Sequence, residues 1–470
     1  MNTKTAAYEH VIVIGGSIAG LMAARALSDY ADSVTILERD PISDQPESRK
    51  GQPQTRHLHG LLAQGLELFT GFFPGIEQAL AEGGAILGDM GLAMRWYHFG
   101  GYKKQYESGL TGALMSRPFL EWHIRRRVLA LPNVTLLSSC AVEGLATTAD
   151  QSRVLGVHVT RRDQNNRRET LEADLVVDTA GRGSAAPKWL AALGYQPPPA
   201  SAVHVHVGYA TRVYRRRPGD VVGAELLMVA DTPAHGKRAG LVFPIEDDRW
   251  IVTLGGMHGD HAPADEQGFL EFARSLPAPD VYNLISRAEP LSEIVLHKFP
   301  ASLRRHYEKL RRFPEGYLVL GDAIASFNPI YGQGMTSAAL QAQTLHQLLG
   351  QGRRRRYGLW RPFFKRAAKV VDSPWQLAVG EDFRYPETQG HKAPGTDVIN
   401  AYVTRVHQSS HHDTVVYGQF LRVMNLMAPP ASLFKPAIMR RVLRQRPLRV
   451  PFSGKAAPAS LKMRGGKVRG

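Results

Sequence analysis

The sequence predicts an α/β fold: a Rossmann-type dinucleotide-binding domain built from separated segments, a β-sheet domain, and a helical C-terminal region. Three observations carry this. Residues 9–40 read as strand, Gly-rich turn, helix and strand. Residues 317–349 return to strand–turn–helix some 300 positions later. Between them, residues 200–300 hold β-rich stretches such as Val203 to Val213 and Leu241 to Leu254. A chain of 470 residues fits two or three domains.

The first unit begins with VIVIGGSIAG, runs into LMAARALSDY and ends in VTILERD. Gly15, Gly16 and Gly20 lie between strand and helix. Ser17 stands where a strict G-x-G-x-x-G would place its second glycine, and it is small enough to permit close approach. Such a turn, Gly15 through Ser17, Ile18 and Ala19 to Gly20, lets backbone N–H groups and the helix N-terminus face a pyrophosphate. Gly20 lets the helix pack close to the strand. Glu38 ends the next strand, where a carboxylate can accept both ribose hydroxyls of an adenosine, and Arg39 follows it. This unit alone does not separate FAD from NAD.

Further along, residues 53–82 read as helical, as do residues 117–130. Strands are expected at Val134 to Leu137, in a hairpin of Ala141 to Leu145 with Val154 to Thr160, and at Leu175 to Val177, with RRDQNNRRE as a loop. The second chemical signal is GYLVLGDAIASFNPIYGQGMTSAALQAQTL. Gly321 and Asp322 sit at the end of a strand, followed by a Pro/Gly-rich loop and a helix from Met335. A carboxylate there can accept hydrogen bonds from a ribityl chain, while loop N–H groups and a helix start favour the negative charge of a reduced flavin. Asp322 taken alone is equally readable as a turn or N-cap residue.

Composition narrows the classes. Hydrophobic residues make up 43% and charged residues 21%, enough to bury a sizeable core. The single cysteine, Cys140, excludes an intramolecular disulfide and a cysteine-based zinc or iron–sulfur site. No metal site is expected: His57 and His59 are two apart and would face different sides of a helix. The N-terminus lacks the apolar core of a secretory signal, and no run of 18 apolar residues occurs, so a cytoplasmic protein is expected. The net charge of +16 is uneven: residues 351–470 hold 23 of the 58 Lys/Arg but 6 of the 42 Asp/Glu. A solvated basic surface accounts for this, as would peripheral contact with an anionic membrane through SLFKPAIMRRVLRQR at 432–446. Nucleic acid is not expected, because the basic runs lack interleaved aromatic platforms.

Taken together, the Gly15–Glu38 and Gly321–Met335 segments resemble the p-hydroxybenzoate-hydroxylase-type FAD-dependent monooxygenases. The resemblance is nearest to the bacterial branch of polyether epoxidases and squalene-epoxidase-like enzymes. It covers roughly residues 9–350 and continues weakly into PWQLAVGEDFRYPET at 374–388. It implies a glutathione-reductase-like FAD-binding domain, with Asp322 on the FAD ribityl and Pro329, Gly332, Gly334 and Met335 beside the ring. Two further segments are similar to the family's: GQPQTRHLHGLL, with Gln54, Arg56, His57 and His59 approaching the flavin, and SRPFLEWHIRRRV, with Arg117 contacting phosphate or ribityl. LVVDTAGRGSAAPKWL resembles the family's Asp-Gly region, with Gly181 aligned. There Ala180 replaces the usual Asp, Lys188 stands in for a later Arg, and Asp178 is a partial substitute that would help bind the cofactor. This departure leaves open whether NADPH or NADH reduces the flavin directly or through a flavin reductase.

The resemblance further implies insertion of one oxygen atom from O2 into an apolar alkene or aromatic, by epoxidation or hydroxylation through a flavin C4a-hydroperoxide, in secondary metabolism. No catalytic residue is assigned. The expected layout is an FAD-binding domain of residues 1–85, 110–190 and 300–350, a substrate domain of 86–109 and 191–299, a helical region of 351–452 and a disordered basic tail of 453–470. Expected chamber-lining segments are Trp96 to Tyr102, His204 to Tyr209 and Leu226 to Val229. Other readings stay open. A reductase or dehydrogenase acting on an isoprenoid-like double bond shares the scaffold. So does a halogenase, although FPIEDDRWIVTLGG lacks its paired tryptophans. A non-catalytic basic flavoprotein or membrane-surface protein is a different class.

Overall fold

Val11, Ile12, Val13 and Ile14 are all buried. A strand apolar on both faces needs cover on both sides. In the computed structural model, which describes residues 7–233, 235–351 and 357–445, the strand Tyr8–Ile14 is the centre of a five-stranded parallel sheet. Its order is Tyr317–Val319, Leu175–Asp178, Tyr8–Ile14, Ala31–Leu37 and Val134–Leu137. Val13 is in register with Val177 on one side and Ile36 on the other. Helices Ile18–Ser28, Arg117–Leu129 and Gly334–Gly350 cover one face. An antiparallel meander of Cys140–Thr147, Val154–Arg161 and Arg167–Glu172 covers the other through Leu145, Val154 and Val157. This is the α/β Rossmann-type class expected from the sequence.

The second layer system is a nine-stranded mixed sheet. Across it run Val295–Arg305, Ala200–Arg215, Arg249–Gly256, Arg238–Ile245, Leu226–Ala230 and Met94–His98. Side chains alternate between its faces. Val242, Val252, Leu254 and Trp250 point to the side packed by helices Glu266–Arg274 and Asp280–Ile285. Met94, Trp96, Phe243 and Ile251 point to the side packed by the C-terminal helices, where Val406, Tyr417 and Phe420 meet them. The helix Trp360–Asp382 runs alongside Gly334–Gly350 and carries Pro374 within it.

Two local expectations are corrected. Residues 53–82 are not one helix but a 3-10 turn Pro53–Arg56 and helices Ala63–Phe72 and Ile76–Glu82. Pro74 offers no donor and Gly75 adopts φ +79°, so the helix cannot run through. The loop RRDQNNRRE is mostly hairpin: Asn165 and Asn166 take φ of 52° and 57°, the left-handed pair of a tight turn, and Arg167–Glu172 is a strand.

The C-terminal helix Pro436–Arg444 turns Ile438 and Val442 into the core beside Tyr417 and Leu421, and leaves Arg440, Arg441 and Arg444 outside. Its apolar stripe is therefore used in packing, with Arg441 paired to Asp413 at 3.0 Å. Among the described residues no helix is long and apolar enough to cross a membrane. The expected tail 453–470 and Arg353 to Arg356 lie outside the described residues.

Candidate functional site

The site begins where the strand Tyr8–Ile14 turns into the helix Ile18–Ser28. Gly15 takes φ +103°, and Gly16 donates its N–H to Glu38 Oε2 at 2.9 Å. Glu38 is buried and also accepts Asp40 N–H at 3.0 Å. Arg49 approaches it at 3.0 Å and pairs with Glu121 as well. Ser17 donates to Glu121 Oε2 at 2.9 Å and accepts from Arg117 Nη2 at 3.1 Å. Arg117 opens the helix Arg117–Leu129, whose first turn is capped by Ser116 accepting from Phe119 N–H. The Arg117 guanidinium is buried, and its Nε lies 3.7 Å from Glu121 Oε2 without a hydrogen-bond partner. A buried cation whose Nε–H makes no hydrogen bond, beside a glycine turn and a helix start, fits a diphosphate.

At the other end, the strand Tyr317–Val319 delivers Gly321 and Asp322. The Asp322 side chain faces the cavity, and the surrounding protein raises its carboxyl pKa while Arg117 and Arg182 oppose the shift. The following turn is held from behind. Asn328 caps it by accepting from Ile330 N–H at 3.2 Å and donates to Asp382 Oδ1 at 2.9 Å. Tyr331 OH donates to the same oxygen at 3.0 Å. Asp382 is fully buried, its Oδ2 has no partner, and burial pushes its pKa up to about 7.

A single cavity of about 1620 Å³ joins the two ends. Of the residues expected at the cofactor, Gly15, Ser17, Ile18, Ala19, Glu38, Arg39, His57, Arg117, Gly181, Asp322, Pro329, Gly332, Gly334 and Met335 line it. Gly16, Gly20, Arg56, Asp178 and Gly321 do not. Gly16, Gly20 and Gly321 shape the turns from beneath, and Arg56 is exposed. Asp178 is turned inward: it accepts from Ala180 N–H at 2.8 Å, Ser184 Oγ at 2.6 Å and Tyr317 OH at 3.1 Å. It ties the end of its strand to the neighbouring strand instead of meeting the cofactor. Lys188 is exposed and away from the cavity, whereas Arg182, one residue after Gly181, lines it. Sequence reasoning missed Arg49, Glu121, Arg182 and Asp382. Asp382 lies within the 374–388 segment, so that stretch carried a signal left unread.

The chamber beyond the Pro329–Gly332 turn is walled by the large sheet and roofed by C-terminal segments including Phe420 and Leu433. Trp96, His98, Tyr209, Met228 and Val229 line it, whereas Tyr102, His204 and Leu226 do not. His57 Nδ1 lies 2.8 Å from Thr211 Oγ1, and its buried Nε2 has no partner. Its ring is 5.3 Å from that of His297. Burial, then His297 and Arg56, lowers the His57 pKa to about 4. The unfolded chain therefore takes up this proton near pH 6.5 while the folded chain resists it until about pH 4. Stability should be unaffected by His57 above pH 6.5 and fall as pH drops toward 4, by up to about 3 kcal/mol. His57→Gln is expected to flatten this acid limb in melting temperatures recorded from pH 8 to 4. Parallel curves for the two proteins would refute the assignment.

No protein-family model matches the chain. Solved structures with this fold include PqsL of Pseudomonas aeruginosa, described as a probable FAD-dependent monooxygenase, with a TM-score of 0.58 and 17% identity over 80% of this chain and 98% of that one. A flavoprotein/dehydrogenase from Cytophaga hutchinsonii gives a TM-score of 0.67 and 14% identity over 92% and 96% of the two chains. The chain therefore shares the fold of these flavoproteins. In sequence, the chain is 38% identical over 355 residues to Protein Rv3254 of Mycobacterium tuberculosis, 73% of each chain, and it belongs to the family of that protein.

Proposed function

We propose that this protein is an FAD-dependent monooxygenase that inserts one oxygen atom from O2 into an apolar alkene or aromatic, by epoxidation or hydroxylation. The observation that carries the reading is one continuous cavity, larger than the ~300–1,000 Å³ of a single ligand site. It runs from Glu38 past Arg117 and Asp322 to a chamber under Phe420. FAD, when bound, supplies the oxygen chemistry. The chain does the rest. Glu38 accepts ribose hydroxyls, while Ser17, Arg117 and the helix start take the diphosphate. Asp322 takes the ribityl, and the Pro329–Gly332 turn and the start of helix Gly334–Gly350 lie beside the ring. The chamber walls, Leu241, Phe243 and Met228 among them, exclude water and hold an apolar substrate. NADPH or NADH supplies two electrons, and with two protons these reduce the second oxygen atom to water. The inward-turned Asp178, and Ala180 in place of the family's usual Asp, favour delivery of those electrons through a separate flavin reductase. A place in the polyether-epoxidase and squalene-epoxidase-like branch, in secondary metabolism, belongs to the same proposal.

The test is a visible spectrum of the purified protein after FAD addition and desalting, then after NADPH under argon, then after air. Retained flavin absorbance is expected in the wild type and its loss in Asp322→Ala. No retained absorbance would overturn the reading. Bleaching by NADPH alone marks a self-sufficient enzyme, whereas bleaching only with a reductase marks a two-component one. A reduced protein indifferent to air would favour the dehydrogenase reading.

A further inference from the structure

The wall of the chamber is a ladder of side chains whose order follows from strand register. Across the sheet, one row runs His297, Tyr209, Gly255, Ala239, Ala230 and, one step past the Val229–Tyr97 pair, His98. The next row on the same face runs Thr253, Leu241, Met228 and Trp96. Each strand is about 4.8 Å from its neighbour, so four spacings separate Tyr209 from His98 by about 19 Å. The ends of the wall are polar, and its middle is small and apolar. Ala230 and Ala239 form a shallow floor, with Leu241 and Met228 beside it. Such a trough suits a long, narrow molecule lying across the strands.

Its far end is unusual. Lys103 is buried, at 3% exposure, and no carboxylate among the described residues lies within 4 Å of it. Its amine, whose pKa burial pulls well below the usual lysine range, donates to His407 O at 2.5 Å, stands 3.2 Å from His407 Nδ1, and lies 5.5 Å from the Trp96 ring centre. Glu381, the acid whose charge acts on it, is held on both oxygens by Arg384 at 2.6 and 3.0 Å. When an anion holds Lys103 protonated, its donation to His407 Nδ1 places that ring's proton on Nε2. His98, 5.1 Å from His407 ring to ring, has a buried Nδ1 with no partner. His98 and His407 both line the cavity. Two imidazoles that each carry one ring N–H thus meet at one chamber end with the buried Lys103 amine behind them, and Asp231 and Glu381 line the same cavity. Groups of this kind are costly to bury without an anion.

The geometry points to an acid-group subsite: the chamber takes an elongated, mainly apolar molecule whose carboxylate, or a comparable anionic oxygen group, sits on His98 and His407 with Lys103 behind. Its reacting part then lies at the Tyr209–His57 end. This rests on the proposed function only in assigning that near end to the flavin.

A matched pair of probes tests it, 10-phenyldecanoate against 10-phenyldecanol, with 4-phenylbutyrate as a short acid. Binding to the FAD-loaded protein is read by calorimetry, and bound FAD is measured separately by absorbance. The long acid should bind the wild type about tenfold more tightly than the alcohol and the short acid. Lys103→Met and His98→Phe should each bring acid and alcohol within about twofold of one another while bound FAD is unchanged. Equal binding of acid and alcohol to the wild type, failure of both to bind, or a preference that survives in Lys103→Met would overturn the subsite. The readout is heat of binding, not turnover. A protein that binds the acid yet performs no oxygen chemistry would therefore refute the monooxygenase reading alone.

Discussion

Gly20→Ala is expected to abolish stable FAD retention and to lower the melting temperature sharply. A methyl group at this position would stand 1.8 Å from the Gly15 carbonyl oxygen and 2.9 Å from Thr179 Oγ1. The first contact is with backbone, so no side-chain rotation relieves it. The helix Ile18–Ser28 must move away from the strand end, and the Gly15–Ser17 turn moves with it. Overpacking of this sort costs about 1–3 kcal/mol, and a backbone clash belongs at the top of that range. The cofactor loses more, because the first N–H groups of the helix and the Ser17–Arg117 contact shift together. The check is FAD per chain after desalting, alongside the melting temperature. Gly71→Ala is the control: nothing lies within 4 Å of its added methyl, it sits on the exposed face of a helix, and alanine there should gain up to about 1 kcal/mol. A Gly20→Ala protein with full FAD content would remove the close-approach argument.

The second large effect concerns Asp382. Its pKa is raised to about 7, chiefly by burial, with Asn328 and Tyr331 pulling it down and Glu381 pushing it up. The folded state thus holds a proton that the unfolded chain releases near pH 4. The stability this provides is complete below pH 4 and is lost as pH rises through 7. Asp382→Asn keeps the oxygen that accepts from Asn328 Nδ2 and Tyr331 OH, and cannot ionise. The two proteins should melt together at pH 4–5, and the variant should be more stable at pH 8–9 by up to about 4 kcal/mol. Melting temperatures across that range decide it. A variant less stable than the wild type at pH 9 would show that the ionised carboxylate is paired by something else. The same substitution acts on the Asn328–Gly332 turn, so affinity for FAD should lose its dependence on pH along with stability.

How much of this was legible beforehand depends on how local the cause is. The glycine turn, Ser17, Glu38 and the Gly321–Asp322 strand end were readable because each is set within a few residues. Strand period, turn chemistry and helix start fix one another there. The break at Pro74–Gly75 and the Asn165–Asn166 turn were equally local and were written in the sequence. They were passed over because apolar spacing and charge were weighed above turn chemistry.

The Arg49–Glu38–Glu121–Arg117 network joins positions up to 83 apart in the chain, and no short-range pattern announces it. Asp178 shows the opposite error. Its place at a strand end suggested a cofactor contact, yet Ser184 and Tyr317 claim its oxygens.

The sequence by itself determined the class of fold and the two strand–turn–helix units that carry the proposed dinucleotide site, because backbone conformation and hydrophobic period act over short stretches. Only the tertiary structure decided which polar groups face the cavity and which are consumed in the core. It also set the length of the chamber, the strand registers that grade its wall from His297 to His98, and the burial of Lys103 without an anion. Those follow from contacts between segments hundreds of residues apart. Burial and desolvation, which set the chemistry of His57, Lys103 and Asp382, exist only once those segments have met.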